Sequence, residues 1–574
     1  MSDYSVSPTG EKFPLPTPQD YEVEFHRIEA LAEVARQEGK EIVVVMGVGF
    51  VGAVMAAIVA DTVDKKTGKP SKFVIGCQRP SPRSYWKIPM LNRGQSPVKA
   101  EDPHVDPMIA RCVKDKKTLV ATYNSDCLKL ADCVVVDVQC DYSKQELGNM
   151  RTGEAEMSAL EATMRTIGQK IEPHCLVLIE TTVAPGTTEF VAWPIMKKAF
   201  AHRGIKSVPL LSHSFERVMP GREYVSSIRD FWRVCSGCTP EARSRVVKFL
   251  TEVLNTEKFP LTVMDRPIES ETTKIVENSY RATILAFLNE WSLFAERNGV
   301  DLIKVIQAIK MRPTHNNMIF PGPGVGGYCL PKDGGLGYWA YKHILGFEDG
   351  DEVFKITPTA IDINDTRGLH VAELTRDALR NMGRYIAGAE VLICGASYRQ
   401  DVGDTRYSGS EMVVRKLAEM GAEMRVHDPY VEHWYELDRE IMQYYHRRIA
   451  LLAIAETERR EGSDGQAAVQ SQQRAAMSAS GLTLDSDSNL ALLTTTDYYG
   501  DVEVATIHQN AVRSAMGYPI QAVDQLNAAD SARSQRKMRG NGDWPFQEAN
   551  PEGHSWLVRI ELRVSVKRRK THSF

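Results

Sequence analysis

The chain has 574 residues, 43% hydrophobic and 25% charged, enough for two or three domains that each bury a core. Its net charge of −4, from 70 Lys and Arg against 74 Asp and Glu, offers no basic field to nucleic acid or to an anionic membrane surface. Its ten cysteines are scattered without the spacing of a disulfide framework, which fits a reducing compartment and a cytoplasmic protein.

Residues 1–37 read as a polar N-terminal arm. Their beginning, MSDYSVSPTGEKFPLPTPQDYEVEF, holds no apolar run of the kind a secretory leader needs and is expected to be loose. From Ile42 to Met46 a β-branched run reads as a buried parallel strand, and Gly47-Val48-Gly49-Phe50-Val51-Gly52 turns directly into an Ala-rich helix through Ala60. The uncharged stretch Ile42 to Ala60 approaches a membrane span in length, but its glycines mark a turn. Gly47 permits the turn, Gly49 lets backbone approach a pyrophosphate, and Gly52 lets helix and strand pack closely. The helix N-terminus, at Phe50 and Val51, then presents unpaired N–H groups to the phosphates. Further strands are expected at Phe73–Cys77, Leu119–Thr122, Cys133–Val138, Cys175–Glu180 and Val208–Ser212, with helical patterns between several of them. Cys235 and Cys238 form a lone CxxC without a second ligand pair and read as structural cysteines, so no metal site is expected.

After Asp265 the pattern changes. Glu269 to Asn298 reads as one long amphipathic helix, with Ile275, Leu285, Phe287, Leu288, Leu293 and Phe294 at apolar positions, and more helix follows through Ile309. These apolar positions are too many for one face of a free surface helix, so a homodimer or higher homo-oligomer is expected to form through it. Strand and helix alternation returns in AEVLICGASYR, SEMVVRKLAEMG and EMRVHDPY. The expected architecture is α/β: two Rossmann-like doubly wound domains joined by a helical middle domain. The divisions fall at 1–37 for the arm, 38–258 for the dinucleotide domain, 259–372 for the middle domain and 373–455 for the second α/β domain. Residues 456–574 form a tail biased toward Ser, Gln, Ala and Asp, for which disorder and an appended element are both open; its basic run Lys567–Lys570 reads as solvated.

The segment PGPGVGGYCLPKD, Pro321 to Asp333, carries the most chemistry. Its glycines Gly322, Gly324, Gly326 and Gly327 and three prolines make a loop that delivers Cys329 and Asp333 four residues apart. A single cysteine is ordinarily a buried packing residue. In a glycine-rich loop beside Lys332 it is placed where a thiol becomes a thiolate.

This loop, together with GVGFVG and ETTKIVENSYRATILAFLNE (Glu271 to Glu290), resembles the UDP-glucose and UDP-N-acetylmannosamine dehydrogenases, the nucleotide-sugar 6-dehydrogenases. The motifs occur in order from roughly Glu41 to Tyr430, and the PGPGVGG form of the loop is closer to the branch acting on N-acetylhexosamines. The resemblance implies a nucleotide-sugar substrate, NAD as cofactor, and a four-electron oxidation of the C6 alcohol to a uronate. It implies that Cys329 captures the C6 aldehyde as a thiohemiacetal, which a second hydride transfer converts to a thioester. It assigns Lys274 and Asn278, an i, i+4 pair on one helix face, to a developing alkoxide. Asp333 would help activate the hydrolytic water, Glu216 in HSFERVMPG would act in proton transfer, and Thr182 in ETTVAPGTTE would lie near the nicotinamide. Arg399 sits where the family has a lysine of the nucleotide-sugar site, to which Gly324, Gly326 and Gly327 also belong, and Arg312 lies near where a neighbouring subunit would supply an arginine.

The sequence departs from the family in three places. Gln78, followed by Arg79, stands where an acid would bind the adenosine ribose; with Arg83 still matching a basic cofactor residue, NADP is the alternative to NAD. Cys140-Asp141 replaces a Thr-Pro, and the stretch after Tyr430 leaves the family pattern. A hydroxyacid-type dehydrogenase making one hydride transfer and a catalytically idle NAD-binding assembly protein remain alternatives. The first has no use for Cys329, and the second little need for Lys274, Asn278, Cys329 and Asp333 together.

Overall fold

A computed structural model describes residues 4–399, 402–441 and 559–562. The chain divides into two compact units, residues 1–281 with 332–359 and residues 282–331 with 360–574.

The N-terminal segment, expected to be loose, is structured from Tyr4 on: β1 (Tyr4–Val6) pairs antiparallel with β2 (Lys12–Pro14), and α1 (Asp20–Gln37) follows. Its apolar signal is thin because α1 buries only Ile28, Ala32 and Ala35, a narrow stripe on an otherwise polar helix. Polar side chains do much of the remaining docking; the Arg36 guanidinium, for instance, donates to the Leu130 carbonyl at 2.6 Å.

The main sheet is built from β3 (Glu41–Met46), β4 (Lys72–Cys77), β5 (Leu119–Thr122), β6 (Cys133–Val136), β9 (Leu176–Ile179), β10 (Leu210–His213), β11 (Val234–Gly237) and β12 (Thr262–Val263). A small hairpin of β7 (Asp141–Ser143) and β8 (Glu154–Glu156) lies between β6 and β9 in the chain. The spatial order is β12-β11-β10-β9-β6-β3-β4-β5, parallel from β5 to β10, with β11 antiparallel to β10. β3 reads as a continuous apolar run because Ile42, Val43, Val44 and Val45 are fully buried, as in a sheet covered on both faces. The following helix α2 (Phe50–Asp61) is buried from Gly52 through Ala60, which is why its sequence imitates a membrane span. No helix among the described residues is long and apolar enough to cross a membrane. β10 starts two residues after the expected Val208, which is 48% exposed, because Pro209 brings no N–H to the ladder.

The long helix runs unbroken over Pro267–Asn298. Ile275, Leu285 and Leu288 are buried, whereas Val276, Tyr280, Phe287, Trp291 and Phe294 are 58%, 56%, 50%, 45% and 53% exposed.

In the second unit the helix Leu302–Lys310 and, from residue 360 onward, the helix Ile356–Asn381 precede a sheet of β13 (Glu390–Cys394), β14 (Glu423–His427) and the strand Arg559–Leu562. β13 pairs parallel with β14, Leu392 opposite Arg425, and antiparallel with the last strand. Val371, Val391, Ile393, Val413, Leu417, Val426 and Trp434 form this unit's α/β core. Of the tail 456–574, Arg559–Leu562 is an appended strand; Lys567–Lys570 and the rest lie outside the described residues.

Candidate active site

β3 and β6 are neighbours, yet the chain leaves β3 toward β4 and β6 toward β9, on opposite sides. Such a switch point opens a crevice at the carboxyl ends of the strands. The glycine turn sits there. Gly47 has φ of 98°, and a Cβ on it would lie 2.7 Å from the Asp137 carbonyl oxygen. A Cβ on Gly52 would lie 1.8 Å from the Gly47 oxygen, whereas one on Gly49 would meet no heavy atom within 4 Å. Gly47 and Gly52 therefore serve packing, and Gly49 keeps the approach to the N-terminus of α2 clear. Phe50 stacks on Tyr224 at 4.8 Å between ring centroids, which fixes the first turn of that helix, and Val51 follows it. The turn fits a dinucleotide pyrophosphate. Gln78 is tied into it: its side-chain oxygen accepts from the Val48 N–H at 3.1 Å, and its own N–H donates to the Thr122 carbonyl at 3.0 Å. Arg79 and Arg83 are exposed in the loop that follows.

Thr182 is buried in the loop after β9, and the turn that follows this loop is held by Glu271 from the long helix. The Glu271 carboxyl accepts from the Gly186 N–H at 2.6 Å, the Thr188 N–H at 2.8 Å and the Thr188 hydroxyl at 2.5 Å. Burial nonetheless lifts its pKa to about 8, against the pull of those donors.

One turn along the same helix, the Lys274 ammonium donates to the Glu216 carbonyl at 3.0 Å and lies 5.4 Å from the Phe215 ring centroid. The Glu216 carboxylate accepts from the Val218 N–H. A further turn on, the Asn278 amide donates to Asp333 Oδ2 at 2.7 Å, and Lys332 Nζ donates to Asp333 Oδ1 at 3.0 Å. Asp333 is fully buried and Lys332 is 2% exposed. The structure thus joins Asn278 to Asp333 and gives Lys332 a task that the sequence reading left open. Asp333 stands in the first turn of the helix Leu330–His343, where the helix dipole favours a negative charge. Cys329 immediately precedes that helix.

In the second unit, Gly324, Gly326 and Gly327 are fixed by close approach. A Cβ on Gly324 would lie 2.9 Å from the Asn364 oxygen, one on Gly326 2.5 Å from Tyr398 Cβ, and one on Gly327 2.6 Å from the Tyr398 ring. The Gly327 N–H donates to the Arg406 carbonyl at 2.9 Å. The Arg406 guanidinium lies 5.0 Å from the Tyr328 ring centroid and is held by Asp404 at 2.9 and 2.6 Å. Burial, with Asp404 and Cys329 adding repulsion, pushes the Tyr398 phenol up, so it stays a neutral donor. Tyr398 and Arg406 escaped the sequence reading, which took only Arg399 from ASYRQDVGDTR; the Asp404–Arg406 pair was the available signal. Arg312 is exposed, and its carbonyl accepts from the His315 N–H at 2.8 Å.

Two more groups were missed. Glu180 and Arg233, both fully buried, pair at 2.6 Å, and Arg233 also donates to the Phe215 carbonyl at 2.7 Å. Asp137, just past β6, is pushed well up by burial and by the charges of Glu180 and Glu216. Cys140 is buried, with its thiol raised to about 11 mainly by that burial, and Asp141 opens β7. Cys235 lies buried in β11 with its thiol likewise raised to about 11, and burial also pushes Cys238 up.

Comparison with known proteins gives matches to three models of one family: its NAD binding domain over residues 41–252, its central domain over 268–365 and its UDP binding domain over 392–466. The third match runs past Tyr430, where the sequence reading lost the pattern. A UDP-N-acetyl-D-mannosamine dehydrogenase of Methanocaldococcus jannaschii is 30% identical over 330 residues, covering 55% of this chain and 68% of that relative. The enzyme of the same name from Pyrococcus horikoshii is 26% identical over 391 residues, covering 68% of this chain and 84% of the relative. Among solved structures, an NDP-N-acetyl-D-galactosaminuronic acid dehydrogenase from Methanosarcina mazei Go1 is 28% identical with a TM-score of 0.57, covering 73% of this chain and 85% of that one. By these matches, in order along its length, the chain belongs to the UDP-glucose/GDP-mannose dehydrogenase family.

Proposed function

We propose that this protein is a UDP-sugar 6-dehydrogenase that oxidises the C6 alcohol of a UDP-N-acetylhexosamine to the uronate in two NAD-dependent steps through Cys329. The observation that carries the reading is the buried Lys332–Asp333–Asn278 arrangement at the head of the helix that Cys329 precedes. Burying a carboxylate is costly, and here it is held in place by one ammonium and one amide.

NAD, when bound, accepts one hydride in each step. Gly47, Gly49, Gly52 and the first turn of α2 would hold its pyrophosphate, Gln78 and Arg83 its adenosine ribose, and Thr182 would serve the nicotinamide end. Lys274 and Asn278 stabilise the alkoxide as C6 loses its first hydride. The Cys329 thiolate then adds to the aldehyde, giving a tetrahedral thiohemiacetal whose C6 hydrogen leaves as the second hydride. Water, positioned by Asp333 and Glu216, attacks the resulting thioester; the C–S bond breaks and the thiolate is restored. The balance is one alcohol, two oxidised cofactors and one water in, and one carboxylate, two reduced cofactors and three protons out. Gly324, Gly326, Gly327 and Arg399 serve the nucleotide sugar, and Arg312 is offered to a second subunit.

The exposed stripe Val276, Tyr280, Phe287, Trp291 and Phe294 supports a homodimer formed through the long helix, because a monomer would leave that apolar surface in water. The ten cysteines, scattered without the spacing of a disulfide framework, support a cytoplasmic enzyme. The N-acetylhexosamine preference is supported by the names of the relatives. The test is a panel of UDP-, GDP- and ADP-sugars followed by absorbance of the reduced cofactor. A UDP-N-acetylhexosamine should yield two reduced cofactors per sugar, and a yield of one would return the single-step reading.

A further inference from the structure

Residues 1–40 precede the part of the chain that the NAD-binding-domain model matches, and no role has yet fallen to them. Their contacts are concentrated. Ser5, fully buried between exposed neighbours in β1, donates its hydroxyl hydrogen to the Pro82 carbonyl at 2.9 Å and accepts from the Trp86 N–H at 3.1 Å. That one side chain stitches across the loop following β4. Glu11 takes the Arg93 guanidinium at 2.8 and 3.1 Å, and the same guanidinium lies 5.3 Å from the Phe13 ring centroid.

α1 does the same for the loop following β5. The Thr122 hydroxyl donates to Glu24 at 2.6 Å, the Tyr123 hydroxyl to the Asp20 carbonyl at 3.2 Å, and the Asn124 amide to the Tyr21 carbonyl at 2.6 Å. Glu24 is in turn gripped by Arg27 at 2.7 Å through two bonds. Three half-buried rings from three segments meet between these loops: Tyr21 edge-on to Tyr123 at 5.1 Å, and Tyr85 edge-on to Tyr123 at 5.8 Å.

In a doubly wound sheet the dinucleotide lies across the carboxyl ends of the strands, and its pyrophosphate is anchored at the turn after the first of them. Here that turn follows β3, so the adenosine half extends over the ends of β4 and β5, where Gln78, Arg79 and Tyr123 stand. We propose that residues 4–37 are a brace that holds the adenosine edge of the cofactor crevice in its binding conformation, with Tyr85 and Tyr123 as the aromatic wall against the adenine. The proposal rests on the NAD reading of the glycine turn. Its physical basis is preorganisation: a loop already fixed by hydrogen bonds loses less conformational entropy when the ligand arrives. The wall supplies a π face that favours a flat base.

The experiment uses the full chain with Ser5→Ala, Tyr123→Leu and Tyr123→Phe. NADH binding is read by fluorescence titration and UDP binding by calorimetry. Ser5→Ala and Tyr123→Leu should each weaken NADH on the order of 10-fold and leave UDP affinity and the melting temperature near wild type. Tyr123→Phe, which keeps the ring and loses only the bond to the Asp20 carbonyl, should fall within about 3-fold of wild type. NADH affinity unchanged in both Ser5→Ala and Tyr123→Leu overturns the brace. So does a parallel loss of NADH and UDP binding, which would mark general damage. Failure of the wild-type protein to bind NADH at all would refute the cofactor reading beneath it.

Discussion

Glu271 is a carboxyl caught between two opposing effects, and its titration should be visible in stability. It is fully buried, which favours the neutral form, and it accepts three hydrogen bonds, which favour the ionised form. Burial wins, placing its pKa at about 8 against about 4.3 for an ordinary glutamate. A value higher in the folded chain than in the unfolded one means the folded chain binds the proton more tightly. The contribution is therefore fully present below about pH 4.3 and is lost as pH rises through about 8. At about 1.4 kcal/mol for each pKa unit, the whole excursion is about 5 kcal/mol. Glu271→Gln removes the titration and, with its amide oxygen in the place of Oε1, keeps the acceptor for both Thr188 donors while losing the one for the Gly186 N–H. Urea unfolding of wild type and Glu271→Gln at pH 5 and pH 8 isolates the effect, because every other group titrates in both proteins. The wild type should lose several kcal/mol relative to the variant over that interval, with faster amide exchange at Gly186 and Thr188. Parallel pH profiles, or a wild type that gains on the variant as pH rises, would show that the three donors outweigh burial and that the carboxylate is ionised throughout.

The remaining predictions concern the cofactor turn, the ribose position and the assembly. Gly52→Ala places a Cβ 1.8 Å from the Gly47 oxygen, so NADH binding should be lost together with about 3 kcal/mol or more of stability, read by titration and unfolding. Gln78→Asp should restore a charged acceptor for the ribose hydroxyls and raise the NAD-to-NADP ratio of kcat/KM on the order of 10-fold; an unchanged ratio would mean that residue 78 does not read the ribose. Phe287→Glu with Trp291→Glu should shift the protein toward monomer in sedimentation at micromolar concentration, and a double variant still wholly dimeric would move the interface elsewhere.

Much of the first unit was legible because its signals are strong and local. The β-branched run of β3, the glycine turn and the alanine-rich α2 each depend on short-range sterics, and the structure puts each where the sequence indicated. The N-terminal segment was misread because its attachment is polar: Ser5, Glu24 and Asn124 hold it by hydrogen bonds to partners far away in the chain, which leave no hydrophobic period. Glu180, Arg233 and Asp137 were missed for a related reason: their meaning comes from burial and from charges beside other strands, as when Glu180 meets Arg233 across 53 positions of sequence. Tyr398 and Arg406 take theirs from the distant glycine loop that packs against them. Phe287 and Phe294 counted correctly as apolar positions, yet only the structure separates them from the buried Leu285 and Leu288 on the same helix.

The central claim is that Cys329 forms and breaks a covalent bond in every turnover. The direct measurement is a single turnover on the preferred UDP-sugar, quantifying reduced cofactor and uronate while intact mass spectrometry follows the protein. Wild type should give two reduced cofactors and one uronate per sugar. Cys329→Ala should bind both ligands, make aldehyde at most, and form no acid. Cys329→Ser should accumulate a sugar ester on the enzyme, because an alkoxide leaves far less readily than a thiolate. Undiminished uronate formation by Cys329→Ala would contradict the account and make Cys329 a packing residue of the glycine loop.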